Sequence, residues 1–223
     1  MNYQNIHKGI FISRPNRFIA NVIVEGKIEV VHVKNTGRCK ELLTEGCTVY
    51  LEKFAPSLRK TNFDLIAVEK GDKLINMDSQ APNKCFYEWA KKQYPSAVIT
   101  PEVKYHSSRF DCLIKTDTKS IFTEVKGVTL EENGLVTFPD APTLRGLKHI
   151  NELISARQEG YQSCIFFVVQ MENVKSFSPN YITQPEFGKA LKNAKAQGVE
   201  ILAYSCTVTL DSLNIDKPVP IIL

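Results

Sequence analysis

Two carboxylates and a lysine stand at a spacing suited to metal-dependent chemistry in the second half of the chain. Asp111 is followed thirteen residues later by Glu124, and Lys126 lies two residues beyond it. Carboxylate oxygens are the ligands that hard divalent cations prefer. A lysine beside such an ion can orient or help deprotonate a water that attacks phosphorus. The three residues together predict a Mg²⁺ or Mn²⁺ site for phosphodiester cleavage.

The local pattern places these residues on a β-hairpin. Residues 109–115 and 121–127 read as strands around the turn Thr116-Asp117-Thr118-Lys119. In the simplest register Asp111 lies opposite Glu124, and side chains two apart on a strand share a face. Opposed residues have Cβ atoms about 4.5–5.5 Å apart, where two carboxylates repel unless a cation lies between them. The alternative is a solvent-facing hairpin whose acids and bases offset each other.

The elements around the hairpin predict a mixed α/β domain. In order, they are a helix (83–94), a strand (98–105), the two hairpin strands, a helix (143–157), a strand (164–170), a helix (186–197) and a final strand (199–208). Helical spacing of apolar residues supports the middle helix, with Leu144 and Leu147 on its apolar face. Asn83 and Thr143 are the expected helix caps.

The first part of the chain carries strand and turn signals instead. Five short strands are predicted, at 21–24, 27–33, 48–54, 63–69 and 73–77. Five short strands in about 70 residues favour a small β-barrel, and an OB-like barrel is one candidate. The segment Ser79–Asn83 breaks the pattern. We therefore expect two domains, a barrel over 1–79 and a mixed-sheet α/β domain over 80–223.

Composition is that of a soluble globular protein, with 43% hydrophobic and 23% charged residues. No apolar window is long enough to span a membrane, and the first residues lack the pattern of a secretory signal. Six scattered cysteines without a C-x-x-C pair argue against zinc ligation or a disulfide framework. These features predict a cytoplasmic protein with reduced thiols in its core.

Basic residues suggest a nucleic-acid partner. The net charge is +4, and residues 1–80 hold 12 Lys and Arg against 9 Asp and Glu. Such an excess suits phosphate backbones, although a solvated basic surface explains it equally well. The candidate nucleic-acid-binding residues in the first domain are Arg14, Arg17, Lys34 and Arg59. In the second domain, Arg109 lies on the hairpin, and Arg145, Lys148 and His149 form a polar stripe on the middle helix.

Longer motifs resemble a known family. The segments EVKYHSSRFD (102–111), EVKGVTL (124–130), FPDAPTLRGLKH (138–149), FVVQ (167–170) and RPNRFIANV (14–22) are similar to the sugar fermentation stimulation protein family. That resemblance implies an OB-like β-barrel, a restriction-endonuclease-like domain and DNA binding. Asp111, Glu124 and Lys126 also match the D…(D/E)-x-K signature of such nucleases. By that match Asp111 and Glu124 bind Mg²⁺, and Lys126 assists the attacking water. Two positions depart from the family pattern, Pro142 and Gly127.

Supporting residues are less certain from the sequence. Glu88 matches an acidic residue that related nucleases contribute as an additional metal ligand, with a solvated glutamate as the alternative. Glu102 joins the acidic row if His106-Ser107 forms a two-residue turn, and is otherwise a structural strand residue. Gln170 resembles a polar residue near the site in related nucleases, against a simple strand-terminating amide.

The sequence therefore predicts a DNA-binding protein with metal-dependent phosphodiesterase activity. A non-cleaving DNA-binding regulator of sugar metabolism genes on the same fold is the alternative. A sugar-processing enzyme has little support, because the chain shows no nucleotide-binding loop and no carboxylate pair in the hairpin without a lysine beside it.

Overall fold

The N-terminal part of the computed structural model is a closed β-barrel; residues 1–35, 37–55 and 60–223 are described. Its strands are β1 (Ile6–Asn16), β2 (Ile19–Val24), β3 (Lys27–Val33), β4 (Thr48–Lys53), β5 (Phe63–Lys70) and β6 (Lys73–Asn76). The sheet order is β3-β2-β1-β4-β5-β6, and β3 also pairs with β5 in parallel. This second pairing closes β1–β5 into the five-stranded OB barrel.

Alternation along the strands builds the barrel core. In β2, Ala20, Val22 and Val24 point inward and are buried. The β2–β3 connection is the turn Glu25-Gly26, where both residues adopt positive φ. The prediction of five strands missed β1, whose Gly9 and Pro15 weaken the strand signal. The predicted strand at 73–77 is β6, which pairs only with β5 outside the closed barrel.

The C-terminal part is the expected mixed-sheet α/β domain. Its elements are α1 (Ala81–Gln93), β7 (Val98–Tyr105), β8 (Ser108–Lys115), β9 (Ser120–Val128), β10 (Leu130–Glu132), β11 (Leu135–Phe138), α2 (Leu144–Gln158), β12 (Gln162–Val169), β13 (Ser176–Pro179), α3 (Pro185–Ala196), β14 (Glu200–Val208) and β15 (Leu213–Pro218). The main sheet runs β15-β14-β12-β9-β8-β7. Parallel pairing of β9 with β12 places β9 inside the sheet, with neighbours on both edges.

Several local expectations need correction. Helix α1 begins at Ala81 after Gln80, so Asn83 lies inside the helix and is not its cap. Thr143 does cap α2, accepting a hydrogen bond from the Gly146 N–H at 2.9 Å. Leu144 was assigned to the apolar face of α2 but is 82% exposed. The small sheet β10-β11-β13 was not predicted, because strands of three and four residues carry little periodicity, and strand β15 was not predicted either.

A buried polar cluster joins the two domains, formed by Tyr3, Lys34, Asn76, Asp78 and Gln170. Lys34 Nζ lies 2.7 Å from Asp78 Oδ2, and Tyr3 donates to the same oxygen at 3.2 Å. The Gln170 amide donates to Asn76 Oδ1 at 2.9 Å and to the Asp78 carbonyl at 3.1 Å. Burial and the Asp78 charge raise the pKa of Tyr3, which stays protonated as a donor. We call this group the interdomain polar cluster.

The cysteines and helices fit the composition. All six cysteines are free, and five of them are buried in the core as predicted. Among the described residues, no helix is long and apolar enough to cross a membrane.

Candidate functional site

The hairpin β8–β9 carries Asp111, Glu124 and Lys126 in the predicted register. The ladder pairs Cys112 with Thr123 and continues to Lys115 with Ser120. Asp111 and Glu124 lie one step beyond its last pair, as the turn-based register requires. The two strands separate here, and the Asp111 carboxylate takes the place of a backbone partner by accepting the Val125 N–H at 2.8 Å.

Asp111 is held from both sides. Its second carboxylate oxygen accepts a hydrogen bond from the Asn83 amide at 2.9 Å, and the Tyr87 hydroxyl donates to its backbone carbonyl. Burial raises the pKa of Asp111, and the negative charge of Glu124 raises that pKa further. The Val125 N–H, Lys126 and Asn83 offset the rise only in part. The carboxylate is therefore fixed in place while its charge is disfavoured.

Glu124 is the most enclosed acid of the site, with its side chain 2% exposed. Its Oε1 contacts Lys126 Nζ at 2.5 Å and also the His149 ring. Burial favours a higher pKa for Glu124, but the His149 hydrogen bond and the Lys126 charge outweigh burial and lower that pKa. Its other oxygen, Oε2, is buried and has no hydrogen-bond partner within the part of the chain that the structure describes.

His149 lies against Glu124 with a defined tautomer. Arg145 Nε donates to His149 Nε2 at 3.3 Å, so Nε2 is an acceptor. The proton then resides on Nδ1, which donates to Glu124 Oε1. We predicted His149 on a polar stripe of α2 with Arg145 and Lys148. The three residues do line one cavity, although the His149 side chain itself is buried against Glu124.

The two hairpin carboxylates fit a divalent ion. Across residues 1–35, 37–55 and 60–223, no cluster of three or more His, Cys, Asp or Glu side chains is arranged to hold a metal. Mg²⁺, however, commonly takes one or two protein carboxylates and completes its shell with water and phosphate oxygens. The buried, unpaired Oε2 of Glu124 is a ligand atom without another role, and a cation nearby would relieve the disfavoured charge of Asp111.

Glu88 and Glu102 do not join these carboxylates. Glu88 forms an ion pair with the Met1 ammonium at 2.8 Å. Its assignment as a metal ligand is therefore corrected, since Asn83 and Tyr87 are the residues that α1 turns toward Asp111. The His106-Ser107 turn has two residues, as the acidic-row alternative required. Glu102 nevertheless adopts positive φ, interrupts the ladder opposite Asp111, and pairs with Arg109 at 3.1 Å.

A basic cavity of about 580 Å³ opens beside His149. The β7–β8 turn and α2 line it with Lys104, His106, Ser107, Ser108, Arg109, Arg145, Lys148 and His149. Three of the predicted basic residues, Arg109, Arg145 and Lys148, meet here. The cavity adjoins the hairpin through His149, so a phosphate bound in it would lie close to Glu124.

In the barrel, two candidate nucleic-acid-binding residues have structural contacts instead. Arg14 donates to four backbone carbonyls, those of Arg17, Asn35, Gly37 and Arg38, at 2.6–2.9 Å. Lys34 belongs to the interdomain polar cluster. Both assignments are corrected, since the terminal nitrogens of these side chains are engaged by carbonyls or carboxylates of the protein itself. Arg59 lies outside the described residues.

Arg17 is exposed and lines a second cavity, the interdomain cleft, of about 480 Å³. The barrel contributes Arg17 and Arg38, and the α/β domain contributes Gly127, Thr129, Asp140, Thr143 and Gln170 among other residues. A Cβ at Gly127 would lie 2.5 Å from Gln170 Oε1 and 2.7 Å from Pro82, so no larger residue fits there without displacement. Gln170 thus supports the domain junction and one wall of the cleft.

Two contributors escaped the sequence analysis: Tyr87 and the inward position of Asn83. A helical interval of four residues between Asn83 and Tyr87 was the available signal, because it places both on one face. Their target, Asp111, lies on a strand more than twenty residues away, which no local pattern reveals.

Comparisons with known proteins agree across the whole chain. A family model described as the sugar fermentation stimulation protein RE domain matches residues 80–212, and one described as the SfsA N-terminal OB domain matches residues 12–77. A sugar fermentation stimulation protein homolog from Clostridium beijerinckii is 55% identical over 226 residues, covering 100% of both chains. One from Desulfitobacterium hafniense strain Y51 is 53% identical, covering 96% of this chain and 95% of its own. The solved structure of Pyrococcus furiosus SfsA in complex with Ca²⁺ superposes with a TM-score of 0.89 at 28% identity, covering 100% of this chain and 98% of its own.

Proposed function

The chain belongs to the sugar fermentation stimulation protein family, and from that premise we propose that it binds DNA and cleaves phosphodiester bonds with a bound Mg²⁺ or Mn²⁺ ion. The observation that carries the proposal is the pair of the half-buried Asp111 and the buried Glu124. One Glu124 oxygen has no hydrogen-bond partner among the described residues, and the other lies 2.5 Å from Lys126 Nζ. The free thiols and the nucleic-acid substrate also favour a cytoplasmic location.

Asp111 and Glu124 would hold the ion. The Pyrococcus relative was solved with Ca²⁺, a hard cation that takes the same oxygen ligands as Mg²⁺. When bound, such an ion supplies Lewis acidity toward the phosphate and a lower pKa for an attacking water. Hydrogen bonds from His149 and Lys126 keep Glu124 ionised, which a ligand role requires.

Lys126 has the position expected of a group that orients the nucleophile. Its ammonium has three donors, and the contact with Glu124 uses one of them. The other donors can hold a water against a scissile phosphate. Asn83 and the Val125 N–H fix the orientation of Asp111, so the two carboxylates are set before substrate arrives.

The basic cavity supports the same proposal. Arg145 and Lys148 are exposed on α2, and Arg109 faces them from β8. Arg145 additionally fixes the His149 ring, so it links the cavity to Glu124. A phosphate that flanks the scissile bond would be neutralised here. Such contacts confer affinity without sequence information.

A non-cleaving DNA-binding regulator is the second candidate. It is favoured by the lack of a cluster of three metal-binding side chains in the described ranges, and by the direct Lys126–Glu124 ion pair. In that case the ion pair would fill the space of a metal permanently, and the basic surfaces alone would act.

Single-turnover cleavage of labelled DNA and RNA, with Mg²⁺, Mn²⁺ or EDTA, separates the two candidates. We expect wild-type cleavage that requires the metal, and a loss of about 10²–10⁴-fold in Lys126→Ala, the range for a residue that assists proton transfer. Lys115→Ala is the matched control, because Lys115 is exposed at the other end of the same hairpin. Asp111→Asn should weaken metal binding as well as cleavage.

The regulator predicts a different outcome. Wild-type protein that binds DNA tightly and never cleaves it with any divalent ion contradicts the nuclease proposal. Cleavage that survives both Lys126→Ala and Asp111→Asn would come from a contaminant or another site, and contradicts it equally.

A further inference from the structure

We propose that the interdomain cleft and Phe18, the exposed aromatic residue that directly follows Arg17 of the cleft lining, bind an unpaired segment of single-stranded nucleic acid. Phe18 would stack on a base, while Arg17 and Arg38 hold the adjoining phosphates. The inference rests on the proposed function and deepens it by naming the substrate class, single-stranded nucleic acid. Binding at this surface does not itself depend on the metal centre.

Phe18 is an aromatic side chain on a rigid turn. It is 52% exposed at the connection between β1 and β2. Asn16 Oδ1 accepts the N–H groups of Phe18 and Ile19 at 2.9 and 3.2 Å, and Arg14 binds the Arg17 carbonyl at 2.8 Å. The turn is thus held in one conformation with its apolar ring toward solvent. A ring displayed in this way stacks on a base at little cost in conformational entropy.

The position of this turn in the barrel supports the inference. The connection between the first two strands is one of the loops with which OB domains contact oligonucleotides. Arg17 and Phe18 occupy its tip. Arg38 lies on a neighbouring loop that Arg14 binds through the Gly37 and Arg38 carbonyls. The Arg14 guanidinium therefore fixes the backbones of both exposed arginines relative to each other.

The cleft itself has the size and chemistry for a nucleotide. Its volume of about 480 Å³ falls within the range of small-molecule sites, about 300–1,000 Å³, and is too small for a base-paired helix. Arginines form the barrel side, whereas Thr129, Thr143 and Asp140 offer hydroxyl and carboxylate groups on the other side. Such groups pair with sugar hydroxyls and base amino groups.

The cleft also lies beside the strand that carries the candidate metal centre. Gly127 lines it, and this residue directly follows Lys126 on β9. A single strand bound in the cleft would therefore run beside the strand that carries Glu124 and Lys126.

Fluorescence anisotropy in EDTA tests the inference without turnover. The probes are short labelled oligo(dT), oligo(U) and a blunt hairpin duplex. We expect Phe18→Ala to weaken single-strand binding about 10-fold, the size of one base–aromatic stack. Phe18→Tyr should retain the affinity, and duplex binding should change less than about twofold. Arg38→Ala should lower the slope of affinity against salt by about one ion.

Ile28→Ala is the matched control, since Ile28 is 69% exposed elsewhere on the barrel. An equal loss for strand and duplex in Phe18→Ala, or no loss for either strand, overturns the inference. Tighter binding of oligo(dT) or of oligo(U), with the Phe18 dependence, supports it and identifies DNA or RNA. Weaker single-strand binding in Phe18→Ala, together with a wild type that never cleaves, supports the inference and contradicts the proposed function. Cleavage without any preference for single strands contradicts this inference alone.

Discussion

The interdomain polar cluster and the candidate metal centre both bury carboxylates, yet they differ in how those charges are balanced. Asp78 is 0% exposed, and its oxygens receive Lys34, the Tyr3 hydroxyl and the Gln80 N–H. In the candidate metal centre, Glu124 keeps one buried oxygen that has no hydrogen-bond partner among the described residues, and burial and the Glu124 charge raise the pKa of Asp111.

The difference separates a structural from a functional use of buried charge. When a buried acid is hydrogen-bonded and ion-paired, removal of one partner is strongly destabilising, because it leaves an uncompensated buried charge. A buried acid with an oxygen that lacks a hydrogen-bond partner is instead suited to bind a cation. We infer that the cluster at Asp78 joins the domains, and that the pair at Asp111 and Glu124 receives a cation.

The largest expected effect is on the stability of the domain junction. Asp78→Asn leaves Lys34 without its closest acid, and we expect a loss of about 3–5 kcal/mol in the free energy of unfolding. Asp111→Asn should change that free energy by less than about 1 kcal/mol, because the structure already disfavours the Asp111 charge. Urea denaturation of the two variants measures both. Equal destabilisation would contradict the distinction between the two sites.

A divalent ion should stabilise the protein through the metal centre and not through the Asp78 cluster. At a concentration 100 times its Kd, Mn²⁺ would raise the free energy of unfolding by about 2.7 kcal/mol. Thermal unfolding with Mn²⁺ or EDTA should show this gain in wild type and lose it in Glu124→Gln. Lys34→Met should be less stable in both conditions while it keeps the response to Mn²⁺. A response that disappears in Lys34→Met would place the ion elsewhere.

The smallest expected effect is on the pH dependence of stability, because the pKa values of Asp111 and Glu124 are shifted in opposite directions. Because the fold raises the pKa of Asp111, the Asp111 carboxyl stabilises the protein below its ordinary pKa. That contribution is lost as pH rises through the raised pKa. The lowered pKa of Glu124 gives stability that is present above its ordinary value and is lost as pH falls through the lowered one.

Unfolding of wild type, Asp111→Asn and Glu124→Gln between about pH 3 and pH 8 resolves these contributions. Relative to wild type, Asp111→Asn should gain stability toward neutral pH, and Glu124→Gln should lose it there. The same sign of change in both variants would show that the directions assigned to their pKa values are wrong.

The sequence predicted contacts between residues that are close in the chain and missed contacts between residues that are far apart in it. The hairpin register was correct because the Thr116–Lys119 turn fixes which residues are opposed. Asp111, Glu124 and Lys126 are therefore where the pattern placed them. Asn83 and His149 reach the site from separate helices, and a helical wheel gives no information on which polar residue is turned inward. The contact between His149 and Glu124 was consequently not predicted, although the place of His149 beside Arg145 and Lys148 was.

In the barrel, local sequence patterns likewise could not show which basic residues are engaged within the protein. The basic excess of the first domain was visible in the sequence, but Arg14 and Lys34 could not be distinguished from Arg17 by residue type. Their difference is one of partners: four carbonyls for Arg14, a buried acid for Lys34, and an open cleft for Arg17. The fold class was confirmed, because alternation and helical spacing act over short segments.

The parallel pairing of β9 with β12 has a consequence for the order in which the protein is synthesised and folds. Its ladder joins Glu124 to Ile165, about forty residues further along the chain. On the ribosome, the β8–β9 hairpin can form as soon as it emerges, but one edge of β9 stays open until β12 has been made. Non-local pairing of this kind is slow, and an open apolar edge is prone to misassociation in the interval. The candidate metal centre is thus completed late. In the nascent chain, Asp111 and Glu124 are present before all the residues that shift their pKa values have been made.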